Sequence, residues 1–217
     1  MRKSSMLLAA ALLAFVTVAA QAQPDRYFAG GSSFTATNDL LINSADHFNF
    51  DSGWFRNDGI HFGGNTNYIA GYCFSCAGFF YHDYFSFDLS QVTGVTTASF
   101  TVYTFDISQD AGIYLLYGTS LSPSDVASLE DWADVGKYDA LVAGPLLGSI
   151  AVSPGDSFTN VTVALDADGI AWLNANAGKQ IVLGGDWIQV AGPEPGTLIL
   201  IGTGIAGLAG AVRRKLL

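Results

Sequence analysis

The sequence predicts a mainly β protein, an antiparallel β-sandwich of jelly-roll type with one or two short helices. Three observations carry that prediction. Short runs rich in aromatic and β-branched residues recur through the middle of the chain. Gly and Pro interrupt them at close intervals. No alternation of strand and helix is sustained, so a parallel sheet is not expected.

The first element in order is an address. Arg2 and Lys3 precede an uncharged apolar run, Met6–Ala20. Ala20 and Ala22 then stand at the −3 and −1 positions of a cleavage site, which predicts a secretory signal helix over residues 1–22. Signal peptidase and the general export machinery are the partners this implies. The mature chain then begins near Gln23, in an oxidising compartment.

The strands follow. Asp83–Leu89 alternates aromatic and polar residues, and Val95–Ile107 places Ala98, Phe100 and Val102 on one face against Ser99, Thr101 and Tyr103 on the other. Gly112–Tyr117, Leu146–Val152, Phe158–Leu165 and Gln180–Leu183 complete the set. Gly94, Gly118, Ser153-Pro154-Gly155 and Gly184-Gly185 read as the breaks between them. Two helices are expected. Ser122-Pro123 opens one over Pro123–Asp131. Asp166 or Asp168 caps a second that runs to about Ala175.

Composition narrows the function. Residues 23–192 carry four basic residues against 18 acids, a net charge of −14. Phosphate binding needs clustered Lys and Arg, so nucleic acid is excluded as a partner. The same stretch holds 27 of the 28 aromatics, too apolar for a solvated coil and enough for one domain with its own core.

The last element is a second apolar segment. Gly196–Val212 is uncharged over 17 residues, and Arg213, Arg214 and Lys215 follow at once. At about 1.5 Å per residue it nearly matches a bilayer core of about 30 Å, and the basic cluster acts as a stop-transfer signal. Pro193-Glu194-Pro195 precedes it, extended because each proline fixes its own φ and restricts its neighbour.

The order Pro-Glu-Pro, apolar helix, basic tail over residues 193–217 resembles the PEP-CTERM sorting domain. That resemblance implies sorting by exosortase, a membrane cysteine transpeptidase, with Pro193, Glu194 and Pro195 as the sorting motif. It further implies a membrane-anchored intermediate and then the cell surface or the extracellular matrix, in bacteria that make exopolysaccharide or biofilm. A second stretch, Tyr84-Phe85-Ser86-Phe87-Asp88-Leu89-Ser90 followed by Val92 and Ala98–Tyr103, is similar to secreted bacterial β-sandwiches. Some of those are carbohydrate-binding or cell-wall modules.

Candidate chemistry in the middle domain is sparse. Cys73 and Cys76 have two residues between them, a spacing open to a redox pair, half a zinc site or a local disulfide. No helical pattern follows to lower a thiol pKa, and an exported chain seldom keeps thiols reduced, so a structural disulfide is expected. Asp166-Ala167-Asp168-Gly169 resembles the start of a calcium loop, but position 12 would be Ala177 rather than Glu. A helix cap is the better reading, and calcium stays open without a ligand set to support it. His47, His61 and His82 are scattered, and Asp46-His47 and His82-Asp83 read as loop or edge residues. No catalytic motif is present, so no catalytic residue, no cofactor and no metal ligand is assigned. The aromatics Tyr27, Trp54, Tyr68, Tyr72, Tyr81, Trp132, Tyr138 and Trp187 could form a sugar-stacking platform, though core packing is the commoner use of such residues. The expectation is a non-enzymatic, structural or adhesive exported protein. A carbohydrate-binding module is the alternative, and a polysaccharide hydrolase the next.

Overall fold

The computed structural model describes residues 25–31, 38–108, 110–127 and 134–190. Both end segments, with Ala20, Ala22, Pro193, Glu194, Pro195, Arg213, Arg214 and Lys215, lie outside the described residues. Among the described residues, no helix is long and apolar enough to cross a membrane.

The described chain is mainly β. Its strands are β1 (Arg26–Gly31), β2 (Asp39–Ile42), β3 (Ala45–Phe48), β4 (Asp51–Arg56), β5 (Asn67–Cys73) and β6 (Phe79–Asp88). They continue with β7 (Ala98–Tyr103), β8 (Asp106–Ile107), β9 (Gly112–Gly118), β10 (Leu146–Val152), β11 (Asn160–Ala164) and β12 (Gln180–Gln189). Three short helices accompany them, one more than expected: α1 (Pro123–Val126), α2 (Val135–Ala140) and α3 (Ala167–Asn176). Two antiparallel sheets result. The larger runs β10-β9-β12-β6-β5-β1-β8, with β4 on the other edge of β6; the smaller runs β11-β7-β2-β3.

Alternation explains the sandwich. On β6, Phe85 and Phe87 point to the face that meets the smaller sheet, where Phe100 of β7 lies with ring centroids 4.8 and 6.0 Å away. Leu40, Val102, Val161 and Val163 of the smaller sheet join them, with Leu116, Ile181 and Leu183 of the larger one. The opposite face of the larger sheet is also covered. Phe55, Tyr84 and Val182 pack there against Val126 of α1 and Leu141, the residue that ends α2.

Local chemistry places the elements. Asn43 and Ser44 both have positive φ, 51° and 67°, and close the two-residue β2–β3 hairpin. Asn tolerates that region, and its amide also binds the neighbouring loop: Oδ1 accepts from the Thr96 and Thr97 N–H groups and Nδ2 donates to the Gly94 carbonyl. Asp166 caps α3 by accepting from the Gly169 N–H at 2.9 Å. Asp125 Oδ2 accepts from the Ser122 N–H at 2.7 Å at the start of α1, which ends after four residues rather than extending to Asp131.

Two strand assignments change. The run Val95–Ile107 divides at Thr104 and Phe105, because β7 belongs to the smaller sheet and β8 to the larger. Gly184-Gly185 is not a break: β12 continues through it to Gln189, paired with β6 and then β9. The glycines answer to crowding. A Cβ at Gly184 would meet the Leu141 carbonyl, and one at Gly185 would meet the Asp83 carboxylate and the Tyr114 hydroxyl.

Candidate functional site

His82 and Asp83 sit at the centre of the larger sheet, not in a loop or at an edge. Asp83 pairs with Trp54 of β4 on one side and Gly185 of β12 on the other, so both edges of β6 are filled there. The sequence reading failed because two consecutive polar residues look like solvent-facing ones. Here they point to opposite faces, and both faces are covered.

On the sandwich face, Asp83 is fully buried. Its Oδ1 accepts from the Tyr114 hydroxyl at 2.9 Å, and its Oδ2 has no hydrogen-bond partner. Burial pushes its pKa up to about 8, helped by the charge of Asp186 and opposed by the Tyr114 hydrogen bond. The carboxyl is therefore held largely as the neutral acid at neutral pH. Tyr114 is itself driven upward by burial and by Asp83.

On the helix-covered face, the His82 ring stacks on Tyr138 of α2 with centroids 3.9 Å apart and planes 8° from parallel. Its Nδ1 lies 3.0 Å from the Tyr138 carbonyl oxygen. A carbonyl can only accept, so Nδ1 carries the proton and Nε2 faces Asp186 Oδ1 at 3.7 Å. Burial lowers the His82 pKa, with the Tyr138 carbonyl and Asp186 opposing. Burial likewise raises Asp186, and His82 restrains it. Tyr138 is pushed up to about 12 by burial, then by Asp186 and Asp139. The His82–Asp186 separation is longer than a hydrogen bond, and Tyr138 offers His82 its carbonyl and ring face; among the described residues, no Ser or Cys stands in hydrogen-bond contact with His82. Nothing local in the sequence links Tyr138, Asp186 and His82; sheet register and the α2 connection bring them together.

The other candidates fall into place around this cluster. Cys73 and Cys76 are joined in a disulfide at the turn after β5. His61 is buried, stacked on Phe55, with Nδ1 2.9 Å from the Trp54 carbonyl. His47 and Asp46 lie on β3, the edge of the smaller sheet. No group of three or more His, Cys, Asp or Glu able to hold a metal occurs among the described residues. Of the suggested sugar platform, Trp54, Tyr68, Tyr81 and Trp187 are core residues and Trp132 lies outside the described residues.

The fold is a two-sheet antiparallel β domain that buries His82 and Asp83 on opposite faces of its larger sheet. Its destination is carried by the chain beyond β12. Residues 193–215 match the PEP-CTERM protein-sorting motif. The match implies processing by exosortase, export, and a surface or extracellular location. No curated protein matches the chain.

Proposed function

We propose that this chain is a non-enzymatic structural or adhesive protein of the cell surface or extracellular matrix, working in exopolysaccharide or biofilm. The sorting-motif match supports the surface destination in this reading, and it begins four residues after β12 ends. In this scheme residues 1–22 are removed after Ala22, residues 23–192 form the exported domain, and residues 196–212 hold it in the inner membrane until exosortase acts near Pro193–Pro195. The burial of His82, with Asp186 and Tyr138 half-buried around it between sheet and helix, supports a domain that presents a surface rather than a reactive cleft. Replacing Pro193, Glu194 and Pro195 together by Ala in an exosortase-positive host tests the sorting scheme. Accumulation of an unprocessed membrane-bound form is expected, and normal release overturns it. Co-sedimentation of the released protein with the host's own exopolysaccharide tests the matrix role; no association, together with unchanged biofilm in a deletion strain, counts against it.

A carbohydrate-binding module is the second reading. Phe80 is half exposed and its ring lies 4.9 Å from that of Tyr72, giving an aromatic pair open to solvent on which a sugar ring could stack. Selective binding on a glycan array, lost in Phe80→Ala, would favour it.

A further inference from the structure

The start of β1 and the end of β12 lie at one end of the domain and are tied to the same residue. Asp110 Oδ2 accepts from Gln189 Nε2 at 3.0 Å and pairs with Arg26 Nε at 3.7 Å. Two tight turns belong to this end. In the first, Ser157 Oγ accepts from the Ile107 N–H at 3.0 Å, and the Thr159 hydroxyl donates to the Asp156 carbonyl at 2.7 Å. That turn holds Phe158 at φ 63° with 73% of its surface exposed. A bulky residue in the left-handed region, facing water, serves neither packing nor backbone preference. In the second turn, the Cys73–Cys76 ring carries Phe74, half exposed, and the Ser75 N–H donates to Asp25 Oδ1 at 2.8 Å, one residue before β1. Ile188 and Val190, at the exit of β12, are also exposed.

We propose that this end is a lipid-contacting foot, on which the domain stands against the outer leaflet of the inner membrane before release. The proposal rests on reading residues 196–212 as a membrane span. From Gln189 to Gly196 the chain has seven residues, so at about 3.3–3.6 Å each the foot is held within about 25 Å of the bilayer. Aromatic and aliphatic side chains on an end so tethered partition into the headgroup boundary. The turns presenting Phe158 and Phe74 are already closed by hydrogen bonds and a disulfide, so little ordering accompanies contact. Asp25, Asp110 and Asp156 are bonded to Ser75, Gln189 and Thr159 at this end and would be repelled by anionic lipid, so the foot suits zwitterionic headgroups. Phe50 supplies the control. It is exposed, and its N–H donates to the Ser86 carbonyl, beside the opposite end of β12.

The test uses the chain retaining residues 193–217, reconstituted in phosphatidylcholine vesicles with brominated acyl chains. Tryptophan probes F158W and F50W are compared after subtracting the parent emission. Loss of the F158W signal with the F50W signal intact is expected, and replacing a third of the lipid with phosphatidylglycerol should weaken the loss. Co-flotation with both probes unquenched, or both quenched alike, overturns the foot while leaving the span in place. A chain that does not float with the vesicles overturns the span, and the foot with it.

Discussion

The two faces of the larger sheet bury ionisable groups under different terms. The sandwich face gives Asp83 one hydrogen bond, from Tyr114, and otherwise surrounds it with Phe85, Trp187 and their neighbours. The helix-covered face gives His82 a ring to stack on, a carbonyl to donate to and a carboxylate opposite. Burial dominates on both, yet with opposite consequences for pH. An acid kept neutral and a base kept neutral are adjacent in sequence and separated by one backbone. The lesson is that burial removes whichever charge a group would carry, and polar neighbours only moderate the result.

The comparison is broken most directly by unequal truncation. Phe100→Ala opens the sandwich face between Phe85 and Phe87 and should cost about 3–5 kcal/mol. Leu141→Ala, under the helices, should cost about 2 kcal/mol, because a short helix can settle into the space. Urea denaturation of both variants checks the ranking; equal losses would make the helix layer as essential as the sandwich.

Asp83→Asn sharpens the comparison through pH. The folded pKa of Asp83 is raised above its ordinary 3.8, so its contribution is fully present at low pH. It is lost as the pH climbs from about 4 to about 8. The Asn variant lacks that loss. Its stability relative to the parent should improve by a few kcal/mol across the window, read as melting temperature in a pH series. A constant difference would mean that Asp83 is already ionised at low pH.

Removing Cys73 and Cys76 as a Ser pair tests a site belonging to neither face. A four-residue loop should give up about 2 kcal/mol with no change in pH profile. His82→Asn, which keeps a donor near the Nδ1 position, should have the smallest effect. The folded pKa of His82 is lowered, so its contribution is present above the ordinary 6.5 and lost as the pH falls below it. The variant should flatten the acid limb alone, by circular dichroism melts between pH 4 and 7.

Legibility in the sequence followed the same division. Strands that carry the sandwich core, such as Phe85–Phe87 and Ala98–Val102, announce themselves by alternation. The β1 to β5 region is not legible in this way, because polar residues in runs such as β3 (Ala-Asp-His-Phe) leave no apolar face to count. The Cys pair was readable because closure within four residues is local chemistry. The Asp186–His82–Tyr138 cluster was not, since it depends on register between β6 and β12 and on a helix of six residues with no buried residue of its own. Gly184-Gly185 misled for the same reason: what demands a missing side chain there is the Leu141 carbonyl and the Asp83–Tyr114 pair, both distant in the chain.

The sorting segment leaves from β12, and β12 is an interior strand. Six residue pairs hold it to β6 and seven to β9. A pull on the chain that follows Gln189 therefore acts along the strand axis. It must shear the β9 ladder over Leu183–Gln189 and, behind it, the β6 ladder over Gln180–Gly185, whereas the same pull on an edge strand would load one ladder only. Asp110 adds a brace at the point of load by binding Gln189. In the proposed scheme, a domain held this way resists a tug from its span or from a processing enzyme.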